Sequence, residues 1–195
     1  MNALLLRVKN ILIRPRHEWQ AIKDEPATYA GIIFRYVGFL AAVPPAAAVV
    51  GKVVFDRGIV GNAVHNPLSY VIAANILWYI MIIVNVLITG AVITAVAAAF
   101  GSAWSGLRGL KIAAYSFTPL FIVGVPIVIP RLGWLAYVAI AYSVYLVYLG
   151  INSLLEIKQG KAAWHAIASF LTAGAIVGTL NMFEYMLESY LIFPG

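Results

Sequence analysis

The chain has 195 residues, of which 63% are hydrophobic and only 10% charged, with a net charge of +6 and no cysteine. Soluble domains carry ~25% charged residues, so this composition excludes an ordinary water-soluble fold. The missing cysteine excludes disulfides, thiolate metal centres and cysteine lipidation.

Runs of ~20 apolar residues recur along the chain, which predicts an integral membrane protein. In hydrocarbon every backbone N–H and C=O must be paired internally, so only helix bundles and closed barrels span. The ~10-residue alternation of barrel strands is missing, and the class is therefore all-α. A second water-soluble domain has no room. We read residues 1–27 as an amphipathic, interfacial leader on the cytosolic side and residues 28–195 as a bundle of five transmembrane helices.

Within the leader, Leu4, Leu5, Val8, Ile11 and Leu12 fall on one face at helical spacing, flanked by Arg7 and Lys9. That pattern predicts a helix lying in the membrane interface. The next stretch, "RPRHEWQAIKDEP", starts a second helix. Pro15 suits its first turn because the first N–H of a helix has no partner anyway, and Pro26 ends it. Pro15, Trp19 and Ile22 share a face, and Trp19 is expected at headgroup depth. Two readings of Arg7, Lys9, Arg14, Arg16, Trp19 and Lys23 stand side by side. One is a topology anchor resting on anionic lipid; the other is a docking surface for a cytosolic protein. The ~30-residue polar leader argues against a cleaved signal peptide, although "PPAAAVVG" imitates a small-residue cleavage site.

The first apolar segment covers Tyr29–Val50 and contains Arg35 and the pair Pro44–Pro45. Arg35 either snorkels to the interface or pairs with Glu156 at the end of segment four. The second segment, Leu68–Phe100, would reach about 50 Å as one helix, too long for a ~30 Å core and too short for two spans. On it Asn75, Asn85 and Thr89 lie within about a quarter of the circumference. They are either interhelical glue or one wall of a hydrated path.

The third segment, Leu110–Ile129, contains Pro119 and Pro126. Pro119 cannot donate to the carbonyl of Tyr115, nor Pro126 to that of Ile122, so each freed carbonyl needs another donor. Tyr115, Ser116 and Thr118 supply hydroxyls within one turn, predicting a kinked, locally polar point that is either a fixed bend or a hinge. In the fourth segment, Trp134–Leu155, Tyr137, Tyr145, Tyr148, Asn152 and Glu156 share a broad face with Tyr142 at its margin. Tyr142 and Tyr145 are expected to point inward, toward the Asn75–Asn85 seam or the segment-three kink. The fifth, Trp164–Leu187, carries Gly174-x-x-x-Gly178, which suits internal packing or a homo-oligomer.

Nine Lys and Arg residues fall on the side of the N terminus, against three on the other. The positive-inside rule then predicts a cytoplasmic N terminus and an external C terminus in a cytoplasmic (inner) membrane. Most of the excess charge is thereby assigned to topology, and a nucleic-acid partner is not expected.

The leader motif "ILIRPRHEWQAIKDEP" and the stretch "GSAWSGLRGLKIAAYSFTPLFIVGVP" resemble the bacterial branch of the Yip-domain family. The first is its Pro-x-x-x-Trp-x-x-Ile leader; the second is a Gly-rich turn followed by an Ala-Tyr-Ser-x-x-Pro element. These polytopic membrane proteins are related to the eukaryotic Ypt/Rab-interacting proteins. The resemblance implies a five-helix bundle with a cytosolic N terminus, and in eukaryotes roles in vesicle traffic and membrane shaping.

Chemistry of other kinds finds no support. His17, His65 and His165 are isolated, so no metal site is expected. No nucleophile elbow or phosphate-binding loop is present, intramembrane acids are scarce, and neither cofactor nor catalysis is expected. The leading reading is a non-enzymatic protein that organises the membrane or holds a lipid or protein partner. The alternative is a small transporter or channel, its path lined by Asn75, Asn85, Tyr115, Tyr145 and Asn152 and gated at Pro119.

Overall fold

The computed structural model describes residues 2–55, 68–99, 101 and 104–155, and in the last apolar segment residues 164, 165, 167–169, 171–174, 178 and 182. Among the described residues the fold is helical throughout, with no strand. Glu156, and with it the expected Arg35–Glu156 pair, lies outside them.

The leader forms two helices, α1 (Asn2–Ile13) and α2 (Pro15–Asp24), joined at Arg14. The first apolar segment is one rod made of short pieces: α3 (Tyr29–Ile32), a π-helical turn over Ile33–Val37, α4 (Gly38–Ala41) and α5 (Val43–Phe55). The Thr28 hydroxyl opens α3 by accepting from the Gly31 N–H at 3.0 Å. In the π turn the Gly38 N–H reaches back five residues to the Ile33 carbonyl. Pro44 and Pro45 fall in the first turn of α5, where their missing N–H groups cost nothing.

The long second segment is a single helix, α6 (Leu68–Ala99), as its length predicts. Its 32 residues reach about 48 Å at 1.5 Å per residue. The third segment is broken where its prolines require: α7 (Gly106–Ser116) stops at Phe117 and α8 (Thr118–Val123) restarts with Pro119 in its first turn. Short 3₁₀ turns at Pro126–Val128 and Pro130–Leu132 lead into α9 (Leu135–Leu154). Among the described residues three stretches are long and apolar enough to cross a membrane: Tyr29–Gly51, Val71–Ala99 and Leu135–Leu154.

Helices α6 and α7 make the closest contact, backbone against backbone. A Cβ on Gly109 would collide with the Gly90 carbonyl and the Thr94 hydroxyl, and one on Gly90 would stand 3.0 Å from the Leu110 Cα. Gly124 likewise lets α8 meet Pro44 of α5, whose Cα lies 2.7 Å from where its Cβ would be. By contrast Gly174 and Gly178 face open space: among the described residues, a methyl group on either would meet no atom within 4 Å. Among the described residues, that Gly-x-x-x-Gly pair makes no internal helix contact.

Candidate functional site

The residues that sequence reasoning assigns to lipid, partner and intramembrane chemistry separate into groups, and one group converges at the junction of the leader with the bundle. In α2 Trp19 and Ile22 are completely buried and Glu18 nearly so. The face shared by Pro15, Trp19 and Ile22 is thus real, but it packs on protein. Trp19 is a core residue and not a headgroup anchor. Its indole lies over Gly150 of α9: a Cβ there would stand 2.9 Å from Cη2 and 3.1 Å from Ile112 Cγ2. Only a glycine leaves room for that ring. Val8 and Ile11 of α1 join the same core, whereas Leu5, Leu6 and Ile13 stay exposed.

Arg7 is also consumed inside the protein. Its guanidinium holds Glu18 at 2.5 Å and a second carboxylate, Glu25, while its Cζ stands 5.6 Å from the centre of the Tyr115 ring. The cation thereby joins two carboxylates and an aromatic face, so the expected contact of Arg7 with lipid gives way to a contact that pins α1 to α2. Lys9, Arg14, Arg16 and Lys23 remain exposed on the outer surface of the docked leader.

Both leader helices end on side chains supplied by the bundle. The last carbonyls of a helix have no intrahelical donor and carry partial negative charge. Lys111 of α7 donates from Nζ to the carbonyls of Ile22 (2.7 Å) and Glu25 (2.6 Å) at the end of α2. Tyr142 of α9 donates its hydroxyl to the carbonyl of Leu12, 2.8 Å away, at the end of α1. In the sequence Lys111 counts only as a topological charge. Its place between Leu110 and Ile112 on a buried helix face is the signal that it serves something inside.

Below the leader lies the kink. The Tyr115 carbonyl that Pro119 leaves without a donor receives the Thr118 hydroxyl at 2.7 Å. Because the Thr118 proton is committed there, the Tyr36 hydroxyl, 2.7 Å from Thr118 Oγ1, is the donor to it. The relay Tyr36 to Thr118 to Tyr115 ties the first segment to the bend. Tyr115 stacks edge-on with Tyr36 (4.6 Å between ring centres) and with Trp19 (6.2 Å). At the second proline the Ile122 carbonyl accepts the Val125 N–H at 3.3 Å. Ser116 is fully buried, and among the described residues its hydroxyl has no partner.

Among the described residues the expected polar seam does not assemble. Asn75 donates to the Val71 carbonyl of its own helix, and Asn152 to that of Tyr148. Asn85 and Thr89 are buried, yet Asn85 Oδ1 has no partner among the described residues. Tyr145 is 37% exposed and Asn152 is exposed as well, while α9 buries Ser143, Leu146, Val147, Gly150 and Ile151. The tyrosine face of α9 therefore turns outward, because the opposite face of small and branched residues packs more closely. Tyr142 turns to Leu12 and not to the Asn75–Asn85 side. Among the described residues no three His, Asp or Glu side chains gather as a metal site would require.

Comparison with known proteins finds a family and relatives over most of the chain. The Yip1 domain model matches residues 9–180. The chain is 29% identical over 194 residues to the inner membrane protein YohC of Escherichia coli strain K12, covering 96% of this chain and 95% of that protein. The YohC protein of E. coli O6:H1 strain CFT073 matches with the same identity and coverage. No solved structure matches the chain.

Proposed function

Because the chain belongs to the Yip1 domain family, we propose that it is a non-enzymatic, multi-pass protein of the bacterial cytoplasmic membrane that organises lipid or holds a protein partner through its docked leader. The observation that carries this reading is the division of labour among the leader's charged residues. Arg7 and Trp19 are spent on docking, while Lys9, Arg14, Arg16 and Lys23 face outward. A helix pair fixed to a membrane bundle and basic on its free side is suited to anionic headgroups or an acidic protein surface.

The name of the E. coli relative supports placement in the inner membrane. Three long apolar helices, with the kinked α7–α8 segment and the apolar stretch after residue 163, make up the five proposed spans. The charge asymmetry supports an N terminus in the cytoplasm and a C terminus outside. The exposed Gly174 and Gly178 offer a surface for a homo-oligomer.

A conducting path through the bundle is the competing function, and the buried Asn85 Oδ1, without a partner among the described residues, is the observation in its favour. The outward faces of Tyr145 and Asn152 weigh against it. Purified protein in sealed vesicles of phosphatidylethanolamine and phosphatidylglycerol decides between them. The proposal expects vesicles as tight as protein-free ones, with lipid selectivity that falls when Lys9, Arg14, Arg16 and Lys23 become glutamine. Ion or solute flux that disappears in Asn85→Leu contradicts it.

A further inference from the structure

A cleft of about 970 Å³ opens beside the leader, between α1, the turn at residues 25–28 and the beginning of the first apolar segment. That is at the upper end of the volumes of small-molecule sites. Its walls are of two kinds. Leu4, Ile32 and Phe39 make an apolar side, while Arg7, Glu25 and Arg35 make a charged rim above a floor of Tyr36 and Tyr115.

Among the described residues, the charges on that rim are not balanced. Arg7 is bound to Glu18 and Glu25. Arg35 is exposed and, among the described residues, has no ion pair or hydrogen bond. It stands six residues into the Tyr29–Gly51 stretch, about 9 Å along the helix. A cation held within an apolar span is costly, and an anion beside it offsets that cost. The π turn, a feature often found at functional positions, carries Arg35 and Tyr36 together to this edge. Phe39 follows one turn further in, 68% exposed, and continues the apolar wall away from the charge. At the mouth, the Thr28 hydroxyl accepts from Gly31 N–H, so its own proton is left to donate.

From this arrangement we infer that the cleft binds one anionic glycerophospholipid, its phosphate on Arg35 and Thr28 and an acyl chain along Leu4, Ile32 and Phe39. An amphiphile fits because the cleft pairs a cation that has no partner among the described residues with an apolar wall that ends in the exposed Phe39. The guanidinium suits a phosphate because it offers two parallel N–H donors. The inference rests on the lipid-binding reading above but assigns it to a discrete site.

Native mass spectrometry of the full-length protein in detergent, titrated with dioleoylphosphatidylglycerol, tests it. The wild type should retain one such lipid per chain, at least tenfold more tightly than dioleoylphosphatidylcholine. Arg35→Gln should lose about tenfold, and Ala3→Trp, which fills the cleft from an exposed wall position, should abolish retention without lowering the melting temperature. Lys9→Gln/Arg16→Gln, altered only on the leader's outer surface, should bind as wild type. If that double variant loses the lipid while Arg35→Gln keeps it, the basic platform stands and the cleft site falls. Loss in Arg35→Gln alone supports the cleft even if the platform proves inert. Equal retention of both lipids, or inorganic phosphate competing as well as the lipid, overturns the assignment.

Discussion

The indole of Trp19 rests on Gly150, at a separation that leaves no space for a methyl group between α2 and α9. The leader is therefore part of the bundle's packing and not an appendage. Gly150→Leu should expel the ring and destabilise the protein by about 1–3 kcal/mol, the usual cost of overpacking. The melting temperature in detergent should fall, and Trp19→Ala should fall further, by about 3–5 kcal/mol. Trp19→Phe should cost much less, because Trp19 Nε1 has no hydrogen-bond partner to lose among the described residues.

Lys111 acts on α2 from another helix. Lys111→Met keeps the length of the side chain but deprives the Ile22 and Glu25 carbonyls of their donor. The expected loss is about 1–3 kcal/mol, expressed locally as faster proteolysis at the end of α2 while α6 is untouched. Cleavage no faster than in the wild type contradicts this role.

The Arg7–Glu18 pair is nearly buried, with side chains 18% and 7% exposed, whereas Glu25 is open to water. Arg7→Gln should destabilise by about 3 kcal/mol by leaving Glu18 charged and unpaired. Arg7→Gln/Glu18→Gln should recover most of that loss, since Glu25 can be hydrated. A double variant no better than the single one shows that the pair is not what holds α1.

At the kink, Thr118→Val removes the group that serves both the Tyr115 carbonyl and the Tyr36 hydroxyl. It should cost about 1–3 kcal/mol, more than Tyr36→Phe, which leaves the Thr118–Tyr115 bond intact. Equal melting temperatures for the two variants contradict the relay.

Much of this architecture is legible from apolar run length and proline chemistry. The single long α6, the break at Pro119 and the hydroxyl rescue of the Tyr115 carbonyl follow from which backbone groups lack donors. The start of α2 at Pro15 is equally local. What sequence does not reveal depends on contacts between segments far apart in the chain. An amphipathic face with a tryptophan looks the same whether it meets lipid or protein, so the pattern sends Trp19 to the headgroups and only Gly150, far along the chain, explains its burial. Lys111 is hidden because positive charge beside a span already has a topological explanation. The tyrosines of α9 mislead because burial depends on which face packs closer, and glycine and serine outcompete them.

The proposed topology predicts opposite compartments for the two ends. With no native cysteine, Ala3→Cys and Ser189→Cys can each be probed singly in sealed cells. An impermeant maleimide should label the second and not the first. Labelling of both contradicts an odd number of spans.

The claim on which the account turns is that Trp19 lies inside the protein. Replacing Trp78, Trp104, Trp134 and Trp164 with phenylalanine leaves it as the sole indole, in a protein reconstituted into vesicles of brominated phospholipid. The account predicts a blue-shifted emission that neither the bromines nor aqueous acrylamide quenches appreciably, with a variant retaining only the exposed Trp104 quenched as a control. Strong quenching of Trp19 by the brominated lipid would put it among the headgroups and contradict the docked leader.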